Sequence, residues 1–275
     1  MCCIVGYVGR REAAPLIVEG LKKLEYRGYD SFGVATIGKT LEFDKHKGRI
    51  SENAGSVIQL KGKIGIGHTR WATHGIPNDA NAHPHMDCSG TIAVVHNGII
   101  ENYAELKRQL KARGHTFRSD TDTEVVVHLI EEEYGKKKDL LLAVQIVVLK
   151  LEGSYALLVI ADKEDRMIVA RNASPLVIGI GDGEIFAASD MTPILEHTER
   201  AMFLEDGDVA AISREDVTIF NKGTVVKRPL ELIDWSLEDV KKGGFAHYML
   251  KEIYEQPQSF YNTIRAVNSE TVSEF

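Results

Sequence analysis

The way strand-like and helix-like segments are distributed along the chain limits its fold more than any other feature. β-Branched apolar runs occupy 2–9, 31–38, 63–71 and 90–98, and they return at 154–162, 166–172, 176–181, 184–189, 208–213 and 217–221. Gly, Asn, Asp and Pro punctuate the later runs at the short intervals of hairpins. Helical spacing appears at 12–26, where Leu16, Leu21 and Leu24 share a face and Pro15 falls in the first turn. It appears again at 49–62, in three successive segments at 101–114, 119–135 and 138–150, and briefly near 190–197. Gly114 reads as a helix stop, and Ser119 with Asp122 as a helix start. Helices grouped between blocks of hairpin-connected strands do not match alternating βαβ units. They predict an α+β fold of two antiparallel sheets covered by helices.

Composition removes several classes of function. A net charge of −7, with no like-charge block longer than Lys136–Lys138, argues against nucleic-acid or anionic-membrane binding. Three cysteines, two of them adjacent, cannot build a disulfide framework, and no run approaches the ~20 apolar residues of a membrane span. The expected location is cytoplasmic. GxxxxGK[ST] and GxGxxG are both missing, so nucleotide binding has no support. His74, His83, His85, His96 and Cys88 show neither HExxH nor paired CxxC spacing, and no metal or other cofactor is expected.

Four short stretches carry chemistry. In MCCIVGYVG, removal of Met1 would leave Cys2 with a thiol and a free α-amine on one residue. An α-amine titrates near pH 7.7–8.0, so it can take the thiol proton and later return it to a leaving amine. The competing reading is a buried strand cysteine acting as a small hydrophobe. HNG at 96–98 offers the Asn97 amide and the Gly98 N–H as a two-donor oxyanion hole; the same dipeptide is also a strong type I′ turn signal. In GHTRWATHG (67–75), Arg70 with Trp71, Thr73 and His74 could grip a carboxylate, although a surface ion pair would read the same way. In SDTDTE (119–124), Asp122 could hold an ammonium or simply cap a helix. A carboxylate-binding Arg with an ammonium-binding Asp describes a pocket for a free α-amino acid. The 18-residue polar loop at 72–89 is of the length that usually serves function.

Taken with EYRGYDSFGVA (25–35), NAHPH (81–85), VVHNGIIENY (94–103), SDTDTEV (119–125), GSYAL (153–157), FAASD (186–190) and HYMLKEIYEQP (247–257), these stretches resemble the glutaminase domain of the glucosamine-6-phosphate synthase family. This family comprises the isomerizing glutamine–fructose-6-phosphate aminotransferases, which are class II (N-terminal-nucleophile) glutamine amidotransferases. The resemblance implies a four-layer αββα sandwich over 2–239, with 240–275 as an interdomain linker and the start of a sugar-isomerase domain. It implies hydrolysis of the side-chain amide of L-glutamine, with the ammonia aminating fructose 6-phosphate in a full-length, homodimeric enzyme. Cys2 would be the nucleophile, and Asn97 and Gly98 the oxyanion hole. Arg70, Thr73, His74 and Asp122 would hold the substrate's α-carboxylate and α-amine, Trp71 would belong to a lid, and Arg27 and Gly28 would position Cys2. The chain departs from the family pattern at Cys3, where glycine is usual, at Phe32, where a small residue is usual, and in stopping at Phe275. Those departures keep a second reading open: a weakened glutamine-binding or scaffold subunit partnering a separate isomerase.

Overall fold

β1 (Cys3–Val8) sits inside an eight-stranded sheet and is paired on both sides. The computed structural model describes residues 2–233, 245 and 247–266. In chain order the first sheet takes β1, β2 (Ser31–Ile37), β3 (Leu41–Lys47), β4 (Ile64–Arg70), β9 (Val177–Ile180), β10 (Ile185–Ala188), β11 (Arg200–Phe203) and β15 (Glu231–Leu232). Its spatial order is β15-β11-β9-β10-β1-β4-β2-β3. The second sheet, of order β14-β13-β12-β8-β7-β6-β5, takes β5 (His85–Met86), β6 (Ile92–Ile100), β7 (Gly153–Ala161), β8 (Met167–Asn172), β12 (Asp208–Ile212), β13 (Val217–Asn221) and β14 (Thr224–Val226). Every described ladder is antiparallel.

Period-2 alternation divides each central strand between two cores. Ile4, Val8, Ala35 and Ile66 of the first sheet meet Ala93, Val95, Ala156, Leu158 and Ile160 of the second in the layer between the sheets. On the outer face of the first sheet lies α1 (Ala13–Leu24), with α2 (Ile50–Val57) beside it. Glycine decides how closely α1 approaches: a Cβ on Gly67 would come 2.4 Å from Ile17 Cγ2, too close for any side chain there. On the outer face of the second sheet, α3 (Tyr103–Ala112), α4 (Glu124–Lys137) and α5 (Leu140–Val148) bury Leu110, Val126, Ile130, Leu140 and Val144 against Ile92, Val94, Leu157 and Val159. The layers are therefore helix, sheet, sheet and helix.

Several features depart from the sequence reading. The stretch near 190–197 forms bends and a turn, not the expected short helix, and the 72–89 loop contains β5. The charged β3 is an edge strand, half-exposed along most of its length, where alternating charge protects an open edge and hides the strand pattern. α4 begins at Glu124, later than expected, because the Glu124 carboxylate reaches back to accept the N–H of Arg118 (2.7 Å), the N–H of Ser119 (2.8 Å) and the Ser119 hydroxyl (2.7 Å). That reach folds 118–123 into a turn ahead of the helix, and Ser119 does not cap with Asp122.

The chain divides into two units, 1–233 and 234–275. Within the second, α6 (Tyr248–Ala266) contains Pro257. The expected boundary at 239/240 lies outside the described residues, as does Met1.

Candidate active site

The first sheet brings the ends of two strands, and the second sheet one strand, to a common cleft. Cys2 precedes β1, and Arg70 ends β4 on the inter-sheet face that also carries Ile66 and His68. Asn97 lies on the inward face of β6 with Ala93 and Val95, opposite Cys2. Asn97 Nδ2 donates to the Cys2 carbonyl at 3.0 Å, so the two sheets are tied together beside the thiol. Cys2, Arg70, Trp71, Thr73, Gly98 and Asp122 all line the cleft.

Cys2 Sγ accepts the Trp71 N–H at 3.2 Å and lies 3.3 Å from the Trp71 carbonyl. Burial raises the thiol pKa, opposed by the Trp71 N–H and the charge of Arg70. The thiol is therefore protonated at neutral pH, and attack needs a base to remove its proton.

Asn97-Gly98 is not a turn. β6 continues through it to Ile100 in register with β7, Gly98 facing Tyr155. Gly98 has φ +129, and a Cβ there would lie 2.0 Å from the Ser154 carbonyl oxygen. Only glycine satisfies both constraints.

Arg70 is 3% exposed. Its Nη2 donates to the carbonyls of His74 and Gly75, the latter at 3.1 Å, while Nη1 is buried without a partner. Burial lowers its pKa, and Cys2, Asp122 and Asp30 pull the other way. A buried guanidinium with a spare donor favours an incoming carboxylate, which can bond the planar fork. Asp122 is 4% exposed; one oxygen accepts the Ile100 N–H at 2.8 Å, and the carboxylate edge lines the cleft.

The remaining expected residues surround this centre, with Trp71 at its rim. His74 supports Arg70 through its carbonyl, and its ring lies edge-on to Tyr103 at 5.4 Å. Trp71 is 46% exposed, with its ring 6.0 Å from that of Tyr29. Arg27 and Gly28 do not line the cleft. Arg27 pairs with Asp190 at 2.8 Å, and the Gly28 N–H closes a 3₁₀ turn on Glu25. Arg27 instead lies near Cys3, whose thiol burial pushes up to about 11 despite that neighbouring charge. Cys3 is fully buried on the α1 side of the sheet, its sulfur 3.8 Å from the Leu24 carbonyl. Phe32, 1% exposed, occupies the same row of the sheet (Cys3 faces Thr69, and Thr69 faces Phe32). Both departures from the family pattern therefore lie behind the sheet, away from the cleft.

His83, His96, Thr121 and Thr123 also line the cleft, and NAHPH, HNG and SDTDTE had already marked those stretches. Behind them is a group of buried neutral imidazoles. His68 stacks on His83 at 4.1 Å, and His83 meets His85 edge-on at 4.7 Å. His83 Nδ1 accepts the His96 N–H at 3.2 Å, so that nitrogen carries no proton. Burial lowers the pKa of all four rings, taking His68 to about 3. Each is thereby a weaker base than an ordinary imidazole. The 72–89 loop is pinned from below by Lys45, whose Nζ donates to the carbonyls of Ala80 (3.2 Å), Ala82 (2.7 Å) and Pro84 (3.0 Å).

Comparison with known proteins agrees with this geometry. The profile of a glutamine amidotransferase domain matches residues 44–228. The chain is 52% identical over 270 residues to glutamine–fructose-6-phosphate aminotransferase [isomerizing] of Thermococcus kodakarensis and 54% identical over 270 residues to that of Pyrococcus horikoshii. Each alignment covers 96% of this chain and 45% of the relative, so the chain spans less than half the length of these curated proteins. Among solved structures, glutamine phosphoribosylpyrophosphate amidotransferase from B. subtilis superposes with a TM-score of 0.70 and 31% identity, over 80% of this chain and 49% of that one. Fold, cleft and likeness lead to one conclusion: the chain belongs to the glutamine amidotransferase family.

Proposed function

We propose that residues 2–239 form a glutaminase domain that hydrolyses the side-chain amide of L-glutamine through a thioester on Cys2. The reading rests chiefly on one observation. A single cleft holds a thiol, a buried cation with a spare donor and a carboxylate, at Cys2, Arg70 and Asp122. Those charges complement the two ends of an α-amino acid.

In the processed chain the Cys2 α-amine takes the thiol proton, and the sulfur attacks the amide carbon. The oxyanion receives the Asn97 amide, already within 3.0 Å of Cys2, and the Gly98 N–H. The protonated amine returns its proton to the departing nitrogen, ammonia leaves, and water cleaves the thioester to glutamate. The neutral, weakly basic imidazoles behind the cleft leave this base role to the amine. Thr73, His74 and Trp71 complete the substrate pocket and its cover, while Arg27 and Gly28 support the strand entrance beside Cys3.

In the longer protein, ammonia passes to fructose 6-phosphate on a sugar-isomerase region that follows a linker at 240–275; such a protein is a cytoplasmic homodimer. The likeness to the isomerizing glutamine–fructose-6-phosphate aminotransferases of Thermococcus kodakarensis and Pyrococcus horikoshii supports this assignment. No observation favours the weakened-subunit reading, since Cys3 and Phe32 lie behind the sheet. The test is glutamate release by Met1-free protein from glutamine, asparagine and a γ-glutamyl peptide. Turnover confined to glutamine supports the proposal; no turnover, or equal turnover of asparagine, refutes it.

A further inference from the structure

A second group of reactive side chains lies outside the cleft, on α4 and the segments beside it. Cys88 stands in the turn between β5 and β6, His115 just past α3, and His128 and Glu131 three residues apart on α4. Their ligand-type atoms all fall within 4.8 Å of one another. Cys88 Sγ is 3.6 Å from His115 Nδ1 and 3.6 Å from His128 Nδ1. Glu131 Oε2 is 3.1 Å from each of the same two nitrogens. From these four side chains we infer a tetrahedral binding site for a zinc-class divalent cation.

The distances fit a tetrahedral ion as well as they fit hydrogen bonds among the four side chains. Zinc bonds of ~2.3 Å to sulfur, ~2.05 Å to nitrogen and ~2.0 Å to oxygen, at tetrahedral angles, give edges of about 3.6 Å for S···N and about 3.3 Å for N···O. The observed edges are 3.6 Å and 3.1 Å. The widest separation, up to 4.8 Å, must close by about 1.3–1.5 Å to reach a tetrahedral edge. Donor type agrees as well: one thiolate, two imidazoles and one carboxylate suit zinc or cobalt better than magnesium or calcium. With both rings neutral, the thiolate and carboxylate balance the charge of a divalent ion. Binding releases the thiol proton, and any proton on either Nδ1, to solvent.

The far ring nitrogen of His115 is also provided for. His115 Nε2 lies 3.2 Å from Glu132 Oε1, a carboxylate placed as those that orient metal-bound histidines are. His128 is 1% exposed; the carboxylate facing its Nε2, Glu124, stands at 3.7 Å, beyond hydrogen-bond reach. The ligands sit on firm supports. Asp87, 1% exposed, accepts the N–H groups of Thr91 (2.6 Å) and Ile92 (2.8 Å) and so shapes the turn that carries Cys88. Cys88 is exposed, which gives the ion a route in from solvent.

Four protein ligands leave no open position, so the site is structural and not hydrolytic. It would clamp α4 to the β5–β6 turn and to the segment after α3. Glu124, 3.7 Å from His128 Nε2, also holds the backbone of 118 and 119, so the same clamp steadies the turn that carries Asp122.

The test uses the whole chain without a polyhistidine tag. Metal-free protein is equilibrated with zinc, freed of excess ion and measured by plasma mass spectrometry; the expected result is one zinc per chain. Zinc in hundred-fold excess over its Kd should raise Tm by about 5–10 °C. Cobalt in place of zinc should give tetrahedral d–d bands with a thiolate charge-transfer band. That band should vanish in Cys88→Ser and persist in Cys2→Ser. If either variant fails to fold, His115→Ala and the parent stoichiometry decide. Substoichiometric zinc in the parent, a cobalt band that survives Cys88→Ser, or zinc retained by His115→Ala would each overturn the site.

Discussion

Acid should destabilise this domain through His68, and the size of the effect follows from its burial. His68 is fully buried, with a pKa of about 3 against an ordinary 6.5. It lies beside Asn97 and the His96 backbone, but neither ring nitrogen meets a partner at hydrogen-bonding geometry. The folded state therefore refuses a proton that the unfolded chain accepts. Between pH 6.5 and 3 the unfolded state binds more protons, so stability falls as pH falls, by about 1.4 kcal/mol for each unit. From pH 7 to pH 4.5 two units lie inside that window, and His68 alone removes about 3 kcal/mol. His83 and His85 are shifted in the same direction and steepen the loss. Glu124, held at about 2 by hydrogen bonds that outweigh its burial, acts only below its ordinary 4.5 and does not enter this range. Replacing the imidazole with a ring that cannot titrate isolates the effect. His68→Phe keeps an aromatic face against His83, 4.1 Å away in the parent, and gives up no well-formed hydrogen bond. Urea unfolding followed by circular dichroism at pH 7 and pH 4.5 should show the parent losing about 3 kcal/mol more than His68→Phe. Equal losses in the two proteins would refute a buried neutral His68.

The other predictions concern the cleft. Gly98→Ala should cost about 3 kcal/mol or more and abolish turnover, because its Cβ would sit 2.0 Å from a backbone oxygen on the neighbouring strand; a denaturation midpoint within error of the parent would contradict that packing. Arg70→Ala should raise KM for glutamine at least tenfold, and unchanged glutamine kinetics would remove Arg70 from the pocket. The acid limb of kcat/KM should titrate near the ~7.7–8.0 of an α-amine; a limb near ~6.5 would point to an imidazole base instead. Cys2→Ser should lose nearly all glutamate release while keeping its thermal midpoint. Cys3→Gly should keep turnover and lose about 1–2 kcal/mol from vacated packing and a freer strand, and the opposite pattern would assign the nucleophile to the wrong sulfur.

Much of this fold is legible in the chain because its central strands alternate cleanly and its helices form one block. Ile4 and Val8 against Cys3, Val5 and Tyr7 already divide β1 into two faces, and the structure buries both. β3 escapes a sequence reading because edge strands are selected for charge, and Glu42, Asp44, Lys45 and Lys47 mask its period. Asn97-Gly98 is ambiguous for a different reason. Local chemistry favours a hairpin turn, and only the long-range pairing of β6 with β7 shows the dipeptide to be a twisted strand segment. The boundary of α4 moves because a side chain inside the helix, Glu124, captures backbone donors ahead of it.

The cleft and the four-ligand cluster differ in how far sequence can reach them. Arg70, Asn97 and Asp122 sit in stretches whose composition is unusual for their surroundings, so each can be singled out before any contact is known. Cys88, His115, His128 and Glu131 cannot be singled out this way. Only the His128–Glu131 spacing is local, and it is common on helix surfaces. Their convergence is produced by tertiary packing: β5 and β6 turn Cys88 over the start of α4, and the end of α3 delivers His115 from the other side. Helix α4 connects the two places. Its first residue, Glu124, holds the backbone of the turn that carries Asp122 and lies 3.7 Å from His128 Nε2. A change in the cluster that moves His128 must act on Glu124 before it reaches Asp122. Glu124→Gln should therefore weaken cobalt binding and raise KM for glutamine together, with both effects measured on the same preparation. Loss of one property without the other would show that the two sites share a helix but no energetic link.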